Sequence, residues 1–242
     1  MNLITLDKIS STQTFLLEED KELSLPEFTV AYTENQTQGK GQGTHVWESE
    51  EGKNISFSLL LRPFFLDPSM QYLITQIVSL AIVDTLKEYI KQGVKIKWPN
   101  DIYVNDNKIC GMLIQNKLLG SSFAGVYCGI GININQKNFL LAPNPTSIYI
   151  ETGKQVDKKE VFNLAMKNIE KRYTQLKQED IKSIQEEYLS FLLYRNEWRL
   201  YEYKGEKIRA KIICVNEFGH LIFEKEDGEV SSCELREWRF LF

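Results

Sequence analysis

The segment Ile96–Gln115, IKWPNDIYVNDNKICGMLIQ, gathers residue types that could do chemistry on an anion. Pro99 fixes its own φ and pushes Trp98 into an extended conformation, which makes a rigid corner. Asn100 and Asp101 follow the corner, where short polar side chains bond backbone or hold a ligand. The next run, VNDN, is turn chemistry, and Lys108 comes directly after it. An ammonium beside an apolar strand, with Gly111 three residues on, suits an anionic group held close to bare backbone.

A second polar stretch, ENQTQGKGQGTHVWESEEGKN, lies between two apolar runs, Phe28–Thr33 and Asn54–Arg62. Gly39, Gly41 and Gly43 alternate around Lys40 and Gln42. No GK[ST] follows a four-residue spacer, so this is not a P-loop, and a strand rather than a helix comes next, so it is not a dinucleotide fingerprint. A long loop of this composition between two strands suits a lid over a site. GKGQG contains nothing apolar to bury, which points to a segment ordered by ligand. Trp47 ends the stretch, either as core packing or as a stacking platform. Ser10-Ser11-Thr12 supplies helix-capping hydroxyls before QTFLLEEDKEL, and such hydroxyls also suit a ligand's polar atoms. In Phe123–Asn133, FAGVYCGIGININ, Gly129 and Gly131 alternate: a bulge in a core strand, or a place where something approaches backbone closely.

The elements that would position these residues are legible from periodicity. Leu3–Leu6 alternates as a strand. Met70–Lys91 has the apolar spacing of a buried helix face, with Gly93 as its stop. Val94–Trp98, Asp101–Val104, Ile109–Gln115 and Phe123–Asn133 read as strands. Helices follow over about Lys158–Leu176, capped by Asp157, and Glu179–Tyr194. From Trp198 the chain alternates tightly between turns at KGE, EFG and EDG, as four or five short antiparallel strands of a small barrel-like unit. The division expected is residues 1–195 and 196–242.

The chain has 242 residues, 43% hydrophobic and 26% charged, with a net charge of −4. An acidic balance, with pI about 5.5, disfavours nucleic acid as the main partner. No apolar run approaches the length expected of a membrane span, and MNLITLDKISS is too polar for a secretory signal. Cys110, Cys128, Cys214 and Cys233 show no CxxC spacing and read as buried reduced thiols, so a cytoplasmic location is expected. Two histidines leave no His-based metal cluster in view.

KWPNDIYVNDNKICGMLIQ resembles the signature of the catalytic domain of biotin protein ligases, the biotin–[acetyl-CoA-carboxylase] ligases. The tryptophan, proline, Asn-Asp pair, lysine and glycine stand at that family's spacing, and the resemblance extends through Gln36–Leu61 and Gly129–Asn133. It implies an α/β (α+β) catalytic domain, a mixed β-sheet flanked by helices, followed by a small C-terminal SH3-like β-barrel. It also implies the type without an N-terminal DNA-binding domain, hence no DNA partner. The implied reaction has two steps: biotin and ATP, with Mg²⁺, give biotinyl-5′-AMP, and a lysine of a biotin carboxyl carrier domain then takes the biotin. By resemblance, Ser11, Thr12 and Gln13 stand at the ureido end of biotin and Gln36 beside it. Lys40, Gly41 and Gln42 form the centre of the closing loop, with Lys40 also in a catalytic role. Trp47 packs on adenine, and Asn133 lies near it. Lys108 bridges the biotin carboxylate and the phosphate. Asn100 and Asp101 stand at the phosphate, with Asp101 catalytic and the candidate Mg²⁺ ligand. Gly111, Gly129 and Gly131 let ligand lie against backbone. Two departures stand out. Lys40, Gln42 and His45 replace the loop's usual arginines, so Lys40 and Lys97 are expected to share the α-phosphate charge. Gln13 replaces an asparagine. The nearest rival is a lipoate–protein ligase or octanoyl transferase of the related fold; a more distant one is a non-catalytic module that recruits a carboxylase. No membrane partner is expected, and a monomer or a homodimer fits equally.

Overall fold

A computed structural model describes residues 1–242 except Gln42, Thr44 and His45. Its elements are β1 (Asn2–Thr5), α1 (Thr12–Leu23), β2 (Thr29–Thr33), β3 (Gly39–Lys40), β4 (Val46–Trp47), β5 (Ile55–Leu61) and α2 (Tyr72–Lys87). Next come β6 (Val94–Lys97), β7 (Asp101–Val104), β8 (Asn107–Leu119), β9 (Ser122–Ile132), α3 (Ile148–Thr152), α4 (Lys158–Lys177) and α5 (Ile181–Phe191). The last are β10 (Trp198–Tyr203), β11 (Glu206–Val215), β12 (Leu221–Lys225), β13 (Val230–Cys233) and β14 (Trp238–Phe240). Seven strands form one sheet in the order β1-β2-β5-β9-β8-β7-β6. β1 and β2 run parallel and every other neighbouring pair is antiparallel, so the sheet is mixed, as expected.

Strand alternation sends successive side chains to opposite faces. Phe57, Leu59 and Cys128 point to the larger core, which is covered by α2 and α4. Ala31, Leu60 and Tyr127 point the other way, into a small cluster under Leu16 of α1. On that second face the central strands carry small residues. Ser58 pairs with Gly129, which pairs with Leu113; Ser56 pairs with Gly131, which pairs with Gly111. These two rows leave a hollow where the sheet would otherwise carry bulky side chains.

α2 is shorter than its periodicity suggests. A 3-10 turn at Pro68–Met70, capped by Asp67, precedes its start at Tyr72. Contrary to the expectation that no stretch reaches membrane-span length, Pro68–Lys87 does by length and composition; 67% of its most apolar window is buried within the protein, as in a core helix. Arg172 of α4 bonds Asp84 of α2 at 2.8 Å and Glu187 of α5 at 2.5 Å, tying the three helices together.

The C-terminal strands form a five-stranded antiparallel sheet, β13-β12-β11-β10-β14. The expected barrel does not close: β13 and β14 are its two edges and do not pair with each other. This sheet meets the seven-stranded one through Phe242, which stacks on Tyr103 with ring centroids 5.4 Å apart, and through the β11–β12 turn.

Cys110, Cys128 and Cys233 are buried, and Cys214 is half-buried. Burial pushes the Cys128 and Cys233 thiols up to about 12 and raises Cys110 and Cys214 as well. A thiolate is the reacting species. An aromatic disulfide reagent at mildly alkaline pH is therefore expected to reach only Cys214 in the native protein, the others reacting after denaturation. Fast reaction at Cys110 or Cys128, read by peptide mass mapping, would contradict this packing.

Candidate active site

A cavity of about 600 Å³ opens over the hollow. At one end its wall is polar and neutral. Ser11 caps α1, its hydroxyl accepting from Thr14 N at 3.4 Å. Thr12 donates to Gln36 Oε1 from its backbone N–H at 2.9 Å and its hydroxyl at 3.2 Å, and its hydroxyl lies 2.8 Å from Ser58 Oγ. With Oε1 engaged, Gln36 has its amide N–H groups left to donate. Gln13 does the reverse. Its Nε2 donates to Leu113 O and Tyr127 O at 3.1 and 3.3 Å. Its Oε1 is thereby left as an acceptor beside Gly129, where a methyl group would come within 2.5 Å of it.

The other end is cationic. Lys40, Lys97, Lys108 and Arg236 line the cavity, and Asp101 is the one carboxylate that does so among the described residues. Lys108 Nζ meets Asp101 Oδ2 at 2.7 Å and lies 5.8 Å from the Trp47 ring centre. The backbone of Lys108 is clamped: its N–H donates to Asn144 O at 2.7 Å and its carbonyl accepts from Thr146 N at 2.8 Å. Lys97 packs 4.7 Å from the Phe240 ring and 5.5 Å from that of Tyr103. Burial draws its ammonium below the ordinary lysine value, Asp101 opposes that, and Lys108 adds to it.

The corner that carries Asn100 and Asp101 is braced from three sides. Trp98 Nε1 donates to Gly219 O in the β11–β12 turn at 2.9 Å. The Tyr72 and Tyr188 hydroxyls are hydrogen-bonded to each other at 2.7 Å and both lie 3.3 Å from Pro99 O, so one hydroxyl donates to its neighbour and the other to the carbonyl. Asn100 Nδ2 donates to Met112 O at 2.6 Å, and Asp101 opens β7, the strand expected over Asp101–Val104.

Of the residues singled out from the sequence, the cavity wall includes Ser11, Thr12, Gln13, Gln36, Lys40, Gly41, Trp47, Asn100, Asp101, Lys108, Gly111, Gly129 and Gly131. Gln42 and His45 lie outside the described residues. Asn133 is buried and off the wall; its amide N–H donates to Thr146 O at 3.0 Å, and its Oδ1 is buried without a partner among the described residues. The glycines meet the protein's own side chains: the Trp47 indole lies against Gly131 and Gly111, and Gln13 against Gly129. Trp47 Nε1 is likewise buried and unpartnered. Ser58, Leu235, Arg236 and Trp238 line the cavity without having been singled out. Ser58 carried a signal, since a serine in the apolar run ISFSLLL faces something polar. Arg236 carried none, because it comes from the 3-10 turn Leu235–Glu237 between β13 and β14, far away in sequence.

A single carboxylate is no cage for a metal, and no cluster of three acidic, His or Cys ligands exists among the described residues. Such a donor set fits Mg²⁺ only as an ion that arrives on a polyphosphate and keeps most of its other ligands.

The sequence pattern of the biotin/lipoate A/B protein ligase family matches residues 5–133, more than half of the chain. The chain belongs to that family. A relative is the bifunctional ligase/repressor BirA of Bacillus subtilis, 34% identical over 182 residues, which cover 71% of this chain and 54% of that protein. The biotin–[acetyl-CoA-carboxylase] ligase of Paracoccus denitrificans is 30% identical over 133 residues, 52% of this chain and 55% of the relative. The chain thus spans about half the length of these curated family members. In three dimensions it matches the biotin protein ligase of Aquifex aeolicus solved with biotin and ATP, with a TM-score of 0.80, 28% identity and coverage of 98% of this chain and 97% of the other. That structural match spans both sheets, whereas the family pattern ends before the C-terminal one.

Proposed function

We propose that the protein is an ATP-dependent biotin–protein ligase that activates biotin as its 5′-adenylate and passes it to a lysine of a biotin carboxyl carrier domain. The observation that carries this reading is the division of one cavity into a neutral hydrogen-bonding end and a cationic end. A cyclic urea presents two N–H donors and one carbonyl acceptor, which Gln13 Oε1, the Thr12 and Ser58 hydroxyls and the Gln36 amide can satisfy. A dithiolane or an alkyl chain, as in lipoate or octanoate, would leave those buried polar groups unpaired, and such pairing is where sites discriminate strongly.

At the cationic end two anions must meet, the vitamin's carboxylate and the nucleotide's α-phosphate. Lys108 stands where it can give up Asp101 and neutralise both, and electrostatic stabilisation of this kind is usually the largest catalytic term. Lys40, Lys97 and Arg236 are the further cations for the phosphates, in place of a loop rich in arginine. Mg²⁺, when bound with the nucleotide, would be held on the protein side by Asp101 and would neutralise phosphate charge. Biotin's carboxylate attacks the α-phosphorus and pyrophosphate leaves. The carrier lysine then attacks the anhydride carbonyl and AMP leaves.

With ATP, Mg²⁺ and biotin, the protein is expected to add one biotinyl group to an isolated carrier domain, seen by intact mass, and none when the carrier's acceptor lysine is replaced. Labelling that survives that replacement, or that requires lipoate, would overturn the reading.

A further inference from the structure

Glu48 follows Trp47 directly and is absent from the cavity wall. Its carboxylate accepts three consecutive backbone N–H groups: Leu140 N on Oε1 at 2.7 Å, and Leu141 N and Ala142 N on Oε2 at 2.7 and 3.0 Å. Burial pushes this carboxyl up, but the three donors outweigh it and leave the group below its usual value. Hydrogen bonds to an ionised acceptor are stronger than neutral ones. The segment 138–142 is neither helix nor strand, and Leu140 and Leu141 are 89% and 74% exposed, so it is held by Glu48 and by a neighbouring tie, Gln136, which accepts from Glu50 N at 3.0 Å and donates to Asn138 O at 2.8 Å.

The segment held by Glu48 leads straight to the reacting end. Asn144 O accepts from Lys108 N, Thr146 N donates to Lys108 O, and Thr146 O accepts from Asn133 Nδ2. On the other side of Glu48, Trp47 pairs with Gly39 and lays its indole on Gly111 and Gly131. One carboxylate therefore joins the β3–β4 hairpin to the segment that clamps Lys108.

We propose that Glu48 is a positioning residue: it locks the Trp47 hairpin to the 140–146 segment, so that the indole and the Lys108 ammonium keep one geometry around the carboxyl–phosphate junction. The proposal rests on the activation reading above for its kinetic consequence, and on the hydrogen bonds alone for its structural one. Gln at this position retains a single acceptor oxygen and sets an N–H donor against N–H donors, so it cannot replace all three bonds.

The test compares the parent, Glu48→Ala and Glu48→Gln in four readouts. These are amide exchange at Leu140, Leu141 and Ala142; ligand-free Trp47 emission, isolated by subtracting a Trp47→Phe variant; the rate of biotinyl-adenylate formation; and the KM for biotin. In Glu48→Ala the three amides are expected to exchange about tenfold faster or more, Trp47 emission to shift, and adenylate formation to fall about tenfold with KM for biotin changed by less than about twofold. Glu48→Gln should lie between the two. Faster exchange with unchanged Trp47 emission and unchanged kinetics would make the carboxylate a local tie only and overturn the proposal, as would unchanged exchange. A parent that makes no adenylate with biotin would refute the activation reading instead. The exchange and emission measurements would then still decide the lock: both must move in Glu48→Ala, and either one standing still overturns it.

Discussion

Replacing Lys108 with alanine is expected to slow acyl-adenylate formation by about a thousandfold, on the order of 4 kcal/mol, the scale of losing one well-placed stabilising group. The ammonium lies 2.7 Å from Asp101, and both of its backbone hydrogen bonds are fixed by the 144–146 segment, so its position is set before substrate arrives. Biotin affinity should fall too, because in the proposed reaction the same group would face the vitamin's carboxylate in the ground state. Lys108→Arg is not a conservative rescue, since a planar fork replaces a point charge. Rapid-quench measurement of the adenylate checks this, with thermal unfolding as the control for folding. Formation at the parental rate would remove Lys108 from the centre of the chemistry.

The second large effect is expected at Gly131. Its backbone is ordinary strand, so alanine meets no conformational penalty; what it meets is Trp47. A methyl group there would overlap the indole at Cε2 and Nε1, and overpacking of this sort costs about 1–3 kcal/mol. Either the indole leaves or the strand shifts, and adenylate formation is expected to drop by about a hundredfold in both cases. The double variant Trp47→Ala/Gly131→Ala distinguishes a packing conflict from a general weakening. With the indole gone, adding Gly131→Ala should cost less than about 0.5 kcal/mol, so the two effects couple strongly. Urea unfolding of the four proteins in the cycle measures this. Additive losses would mean that Trp47 is not what the glycine accommodates.

Much of this site could be read from residue spacing, for identifiable reasons. The central strands announced themselves through apolar runs broken by Gly111, Gly129 and Gly131, and strand register brings the first and last of these side by side. Lys108 and Asp101 are seven residues apart and meet because β7 and β8 form a tight hairpin, which VNDN foretold. What occupies the glycines was not legible. They read as room for ligand, and the structure fills them with Trp47 and Gln13, because no local pattern says which distant side chain folds over a bare strand. Arg236 and the brace from Gly219 to Trp98 were invisible for the same reason: both come from turns of a separate sheet whose docking depends on contacts such as Phe242 on Tyr103. The barrel expected at the C-terminus is an open sheet, since alternation predicts strands but not whether the outer two pair. α3 was missed because a five-residue helix, Ile148–Thr152, is too short for periodicity to show; Ser147 as its cap was the available clue.

Pyrophosphate release from ATP and Mg²⁺, measured with the purified protein and biotin, lipoate or octanoate supplied separately, tests the central claim most directly. The account predicts release that depends on biotin and is near background with the other two acids, because a cyclic urea can pair with Gln13, Gln36, Thr12 and Ser58 where a dithiolane or an alkyl chain cannot. Release with lipoate or octanoate but not with biotin would contradict it.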